Sequence, residues 1–271
     1  MFFKFVNVLR RYVEAFFYFS TDEVFGPALG TTMFDEWDRH KPTNPYSSSK
    51  SAAENICIAY ENTYKIPLMI VNVMNAFGER QHPEKFIPLC INKIRAGEEI
   101  TIHSYAGAIK AGSRWYIHAR NIAASVLFVL AHGTHGEKYN VQGEIELDNL
   151  ELAQFIAKEL GMELKYNMHD NPVSRPGHDL RYALDGDKLR ELGFALPLTF
   201  YDSLRKTIRW MCQNPDWLDP ANFGRQDYEQ SSAPNAPRQM STLAPGGSIQ
   251  EVLDGKGGAS GRDSAGFVSK L

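Results

Sequence analysis

Cysteine is scarce in this sequence: 271 residues contain three, Cys57, Cys90 and Cys212. An odd number at wide spacing leaves no complete disulfide framework, so a reducing, cytoplasmic setting is expected. Charge of one sign is scarce as well. Lys and Arg number 29 against 32 Asp and Glu, a formal net charge of −3, which gives no electrostatic ground for nucleic-acid or membrane partners. Long apolar runs are missing too. The stretch from Met1 to Phe19 is broken by Lys4, Arg10, Arg11 and Glu14, short of the ~20 apolar residues that cross a bilayer. No small-residue cleavage site follows a clean apolar core there, so the segment reads as a partly buried helix running into a strand. There is no internal repeat. What remains is ordinary for a globular chain with a buried core, 43% hydrophobic and 23% charged residues.

Val6 to Phe16 reads as an amphipathic helix with Arg10, Arg11 and Glu14 on its wet side. Phe16-Phe17-Tyr18-Phe19 then suits a strand of a parallel sheet buried on both faces. It ends at Ser20-Thr21-Asp22-Glu23, where the carboxyl edge of the strand is expected and where ligands bind in open α/β sheets. Asn44 and Pro45 start a helix that runs to about Tyr64, with Ala52, Ala53, Ile56 and Ala59 or Tyr60 on its apolar side. Pro67 to Val73 is a second buried strand, which makes a βαβ crossover. Later expectations are helices at Phe86–Arg95 and Ala119–Ala131, strands at Ile100–His103, Trp115–Ile117 and Tyr139–Val141, and a helix capped by Asp148 through Leu160. Two closing helices follow at Leu184–Leu192 and Tyr201–Cys212. Residues 221–271 are dense in Ser, Gly, Pro, Ala and Gln and read as a disordered tail. The division expected is a partial Rossmann-type catalytic region over 1–75, a mainly substrate-binding region over 76–220, and the tail.

Two clusters carry chemistry. Tyr46 and Lys50 are four apart on the long helix and share a face. A nearby ammonium favours phenolate and makes the tyrosine a usable base near neutrality; the plain alternative is a helix surface that carries both by chance. In Thr21-Asp22-Glu23, adjacent carboxylates repel one another and at least one pKa is expected to rise. Two acids with separated pKa values divide the roles of general acid and general base; the plain alternative is a loop whose acids cap turns or face water.

Strand-Ser-Thr-Asp-Glu-Val-Phe-Gly, followed by Pro-Tyr-x-x-x-Lys at a helix start, resembles the extended short-chain dehydrogenase/reductase family. Thr21-Asp22-Glu23 points within it to the NAD-dependent nucleotide-sugar 4,6-dehydratases, the dTDP-glucose 4,6-dehydratase type. Asn75-Ala76-Phe77-Gly78, Gln81 to Pro88, Arg114 to His118, Glu137 to Val141 and Arg175-Pro176-Gly177-His178-Asp179-Leu180-Arg181-Tyr182 resemble further family segments in the family's order. The fold implied is α/β: the C-terminal part of a Rossmann-type parallel sheet plus a smaller mixed α/β substrate-binding domain.

The resemblance implies NAD as cofactor and a nucleotide-diphosphate hexose as substrate, oxidised at C4, dehydrated across C5 and C6, and given back its hydride at C6. Tyr46 would take the C4 hydroxyl proton, Lys50 would lower its pKa and hold the nicotinamide ribose, and Thr21 would bond at the C4 oxygen. Glu23 would abstract the C5 proton and Asp22 would protonate the leaving C6 hydroxyl. Asn75, Arg114 and Arg175 are candidates for the sugar and diphosphate; Glu84, Lys85, Asn140 and His178 for the nucleotide end. A homodimer through the Tyr46 helix is implied as well. The sequence departs from the family in having no Gly-x-x-Gly-x-x-Gly turn before Phe16. Two alternatives stand beside this reading: an epimerase or decarboxylase, against which Asp22 and Glu23 argue, and a catalytically silent homologue.

Overall fold

The unbroken apolar runs become the strands of a parallel sheet. In the computed structural model, residues 2–9, 13–105, 107, 110–170 and 180–223 are described, and they fall within one unit, 1–224. Helix α1 (Phe2–Leu9) precedes strand β1 (Phe16–Thr21), helix α2 (Pro45–Tyr64) and strand β2 (Leu68–Val73). Then come β3 (Asn75–Phe77), α3 (Phe86–Ala96), β4 (Ile100–Ser104), β5 (Ser113–His118) and α4 (Ala119–His132). β6 (Lys138–Val141), β7 (Glu146–Asp148), α5 (Asn149–Leu160) and β8 (Tyr166–Asp170) follow, and α6 (Asp187–Glu191), α7 (Phe200–Gln213) and α8 (Pro215–Leu218) close the chain's described part.

β1, β2 and β6 form one parallel sheet in the order β1-β2-β6, with Phe16 opposite Leu68 and Ile70 opposite Lys138. β2 is buried at five successive positions. β1 differs from the expectation of burial on both faces: it is the outer strand of this sheet among the described residues, and Phe19 is 46% exposed. The first helix also differs. It begins at Phe2, and Val13 to Ala15 are not helical, because Phe2 and Val6, one turn apart, pack on Tyr18 and Tyr60. β6 completes the first sheet from beyond residue 75, so the chain returns across that boundary.

The second half builds its own core. β5 pairs with β3 in parallel and β7 antiparallel, and β4 pairs with β8 in parallel. Ile87, Ile91 and Ile94 of α3 meet Leu152 and Ile156 of α5 and Leu204 and Ile208 of α7, the 3–4 spacing of a helix face. Asp148 caps α5 in a capping box with Glu151. The strands at 75–77, 146–148 and 166–170 were not among the expected elements, and the closing helix expected from Leu184 is reduced to Asp187–Glu191. Leu184 pairs instead with Phe34 in an isolated bridge. Of the tail, only 221–223 are described, in a turn of 3-10 helix over Pro220–Phe223. Cys57, Cys90 and Cys212 are free thiols, and no helix among the described residues is long and apolar enough to cross a membrane.

Candidate active site

β1 delivers Thr21, Asp22 and Glu23 to its carboxyl end because the chain turns there into a 3-10 turn over Asp22–Phe25. Thr21 caps that turn: its Oγ1 accepts the Glu23 N–H at 3.4 Å and donates to Asp22 Oδ1 at 3.0 Å. Gly26 ends the turn at φ +81°, where an added Cβ would sit 2.4 Å from the Lys41 carbonyl oxygen. Across from it, α2 starts with Asn44, whose Oδ1 accepts the Ser47 N–H at 2.9 Å while Ser47 Oγ accepts the Asn44 N–H at 3.2 Å. The Asn44 amide also donates to Glu23 Oε2 at 3.0 Å, tying the helix start to the strand end. Tyr46, on the first turn of α2, hydrogen-bonds the Thr21 side chain. Four of the candidate residues, Thr21, Asp22, Glu23 and Tyr46, therefore meet at one sheet edge.

Asp22 is 5% exposed, and its Oδ2 has no hydrogen-bond partner among the described residues. Its carboxyl is pushed up from 3.8 to about 7, chiefly by burial and less by Glu23, against the pull of Arg114 and the Thr21 hydrogen bond. The expected rise is thus present, with desolvation rather than carboxylate repulsion as its main cause. The Tyr46 phenol is raised above its ordinary value, by burial first and then by Glu23. That corrects the expectation of a phenol lowered by Lys50. The Lys50 ammonium donates to the Phe19 carbonyl oxygen at 2.8 Å and lies 5.1 Å from the Tyr18 ring centroid, and it is not among the causes acting on Tyr46.

The remaining candidates divide. Arg114, at the start of β5, acts on Asp22 electrostatically while its guanidinium donates to the Leu180 carbonyl oxygen at 2.5 Å and lies over Tyr182. Asn75 opens β3, partly buried. Lys85 pairs with the adjacent Glu84 at 3.2 Å ahead of α3. Asn140 is enclosed within β6: its backbone N–H donates to Glu36 Oε1 at 2.9 Å and its amide to the Phe34 carbonyl at 3.0 Å. The structure ties it to the 34–36 segment rather than to the Asp22 cluster. Arg175 and His178 lie outside the described residues.

A second set of polar residues, which the sequence reading did not single out, lies directly behind the site. Glu54, fully buried on α2, pairs with Lys138 of β6 at 2.8 Å and accepts from Asn72 of β2 at 3.0 Å and from Ser20 of β1. Lys138 donates to His40 Nε2 at 3.2 Å, so the other ring nitrogen carries the proton and donates to Ser51 Oγ at 2.9 Å. All three strands of the first sheet are thereby tied to the helix that carries Tyr46 and Lys50. The signal was available: Tyr46, Lys50 and Glu54 repeat at four-residue spacing on one helix stripe. Arg181 is a further fixed point, gripping both Glu146 oxygens at 2.6 and 2.9 Å.

For an NAD dinucleotide, the chemistry present at this edge fits the nicotinamide end. A phenol and an ammonium stand one turn apart beside the strand terminus, and the Phe19 carbonyl occupies one of the three Lys50 N–H donors.

Residues 3–207 match the family model of the GDP-mannose 4,6 dehydratases. The dTDP-glucose 4,6-dehydratase of Xanthomonas campestris is 33% identical over 232 residues, 83% of this chain and 65% of that protein. Its counterpart in Neisseria gonorrhoeae is 36% identical over 217 residues, 76% of this chain and 61% of that protein. Among solved structures, the dTDP-glucose 4,6-dehydratase of Bacillus anthracis, in complex with NAD, superposes with a TM-score of 0.71 at 31% identity, covering 81% of this chain and 68% of that one. The chain thus spans less than two thirds of the length of these curated relatives.

Proposed function

The chain belongs to the GDP-mannose 4,6 dehydratase family, and from that membership we propose that it serves as a nucleotide-sugar 4,6-dehydratase, converting a nucleotide-diphosphate hexose to its 4-keto-6-deoxy form. The observation that carries the reading is the pair of unlike acids at the end of β1. Asp22 is buried with its carboxyl near 7, while Glu23 is partly exposed and held by the Asn44 amide. Elimination across adjacent carbons needs one group that takes a proton and another that gives one.

Tyr46, hydrogen-bonded to Thr21, would accept the proton of the C4 hydroxyl as phenolate, a form that its burial disfavours and that the positive charges of Lys50 and of bound NAD would favour. Lys50 holds the ribose of NAD with the donors that Phe19 leaves open. When bound, NAD supplies the two-electron oxidation at C4 and the hydride that returns to C6. Glu23 takes the C5 proton, made acidic by the C4 ketone. Asp22, whose burial favours the protonated form, gives its proton to the departing C6 hydroxyl, which leaves as water. Arg114, Asn75 and Arg175 are assigned to the sugar diphosphate, and Glu84, Lys85 and His178 to the nucleotide end. Asn140 acts through the 34–36 segment it anchors. Residues 1–75 supply the catalytic half and 76–220 mainly the substrate half. The active form is a cytoplasmic homodimer joined through α2, whose Ala52, Asn55 and Ala59 face outward.

The test is incubation of the chain with NAD and with dTDP-, UDP- and GDP-hexoses in parallel, followed by mass analysis for a product lighter by one water. Absence of both measurable NAD binding and such a product sinks the enzyme reading. Glu23→Gln is expected to stop elimination while sparing C4 oxidation; equal loss of both removes Glu23 from the base role.

A further inference from the structure

A cleft of about 440 Å3 opens beyond the end of β5, lined by Arg80, Arg120, Lys206, Arg209, Trp210 and Gln213 together with Glu79. Arg114 near the start of β5 and His118 at its end are four residues apart, about 13 Å at the rise of a strand. None of the residues assigned to the dehydratase reaction lines the cleft. Four cations face a single carboxylate there, an excess of three positive charges.

The carboxylate is already committed. Glu79 Oε1 accepts from Arg120 at 3.2 Å, and its Oε2 accepts from His118 Nε2 at 3.1 Å. His118 Nδ1 accepts the Arg120 backbone N–H at 3.2 Å, which places the ring proton on Nε2 and leaves the imidazole neutral, as its burial also favours. Arg80 is held with its guanidinium 5.3 Å from the Trp210 ring centroid. Lys206 and Arg209, three apart on α7, share a face. Among the described residues neither makes a hydrogen bond or an ion pair. Like charges gathered without counter-charge repel, and a bound anion relieves that cost.

We propose that this cleft is a binding site for a small polyvalent oxyanion of the phosphate class, a diphosphate or triphosphate group. Arginine forks match phosphate oxygens in pairs, and Lys206 adds a point charge. A concave volume of this size suits a small molecule rather than a macromolecule. The inference stands apart from the dehydratase reading, since it uses none of the residues assigned to that reaction.

Inorganic pyrophosphate is the probe, titrated calorimetrically into the full chain at fixed ionic strength in chloride. The double substitution Lys206→Glu with Arg209→Glu is expected to weaken pyrophosphate binding by about tenfold or more, since each charge-assisted contact is worth roughly that factor. Arg114→Ala, which disturbs the other candidate phosphate position, is expected to change the binding component that the α7 substitutions weaken by less than about twofold. Both substituted α7 positions are exposed, and a thermal midpoint in chloride verifies folding. Lys206→Gln, a milder change, should give an intermediate loss. The reverse pattern, with Arg114→Ala abolishing binding and the α7 substitutions sparing it, overturns the proposal. So does the absence of pyrophosphate binding to the unsubstituted chain.

Discussion

Two carboxylates, Asp22 and Glu54, are both nearly or fully enclosed, at 5% and 0% exposure, yet their surroundings are opposite. Glu54 is compensated: Lys138 pairs with it at 2.8 Å, and Asn72 and Ser20 donate to its Oε1. Asp22 has one oxygen bonded to Thr21 and the other bonded to nothing described. Burial alone therefore does not define a role for an acid. A compensated carboxylate becomes a structural junction, and an uncompensated one keeps its proton toward neutral pH, where it can give it away. The first holds α2 to three strands, and the second sits where that helix and β1 meet.

The largest effect is expected from breaking the compensated partner. Glu54→Gln leaves Lys138 buried without its counter-charge and should cost about 3–5 kcal/mol of unfolding free energy, measured by denaturant titration. Glu54→Leu combined with Lys138→Met should recover most of that loss; a double substitution as unstable as the single one refutes the view that the unpaired charge is what costs.

A smaller and pH-dependent effect is expected at Asp22. The folded state holds this proton to about pH 7, whereas the unfolded chain releases it near 3.8. The contribution of Asp22 to stability is therefore fully favourable below about pH 4 and declines as pH rises toward 7. Asp22→Asn, free of that decline, should gain on the parent protein between pH 4 and 7 by a few kcal/mol at most, while losing turnover. A difference in stability that stays flat across that window shows that Asp22 is ionised throughout.

The smallest effect sits at the joint between the two acids. Asn44→Ala removes the cap of α2 and the donor to Glu23, and should cost about 1 kcal/mol. Because Ser47 and Pro45 still begin the helix, thermal unfolding should remain a single transition. A loss near that of Glu54→Gln would assign the anchoring of α2 to its cap instead of to its buried acid.

The edge of β1 that carries the candidate residues was largely legible in the sequence. An apolar run ending in Thr21-Asp22-Glu23 predicts a strand terminus, and the Asn44-Pro45 start predicts the helix that brings Tyr46 opposite it. Both follow from local rules of capping and burial that act over a few residues. The short strands β3 and β7, three residues each, were not legible, since so short a segment shows no period. Nor was the buried side of α2. The apolar pattern favoured Ala52 and Ala59, which are exposed, as well as Tyr60, which is enclosed, and it missed Ser47, Ser51, Glu54 and Cys57, which are enclosed too. A polar face is buried there because partners on β1, β2 and β6, up to 84 residues away in the case of Lys138, satisfy it.

The sequence by itself therefore determined the lineage, the order of the longer elements and the identity of the acids, phenol and ammonium at the edge of β1, because these depend on neighbours within a helix turn or a strand. Tertiary structure alone decided what each group does electrically. It placed Asp22 out of reach of water and of a second hydrogen bond, directed Lys50 to the Phe19 carbonyl, enclosed Asn140, and gathered four cations around Glu79. A pKa or a charge pairing depends on burial and on partners distant in the chain, and those exist only once the chain has folded.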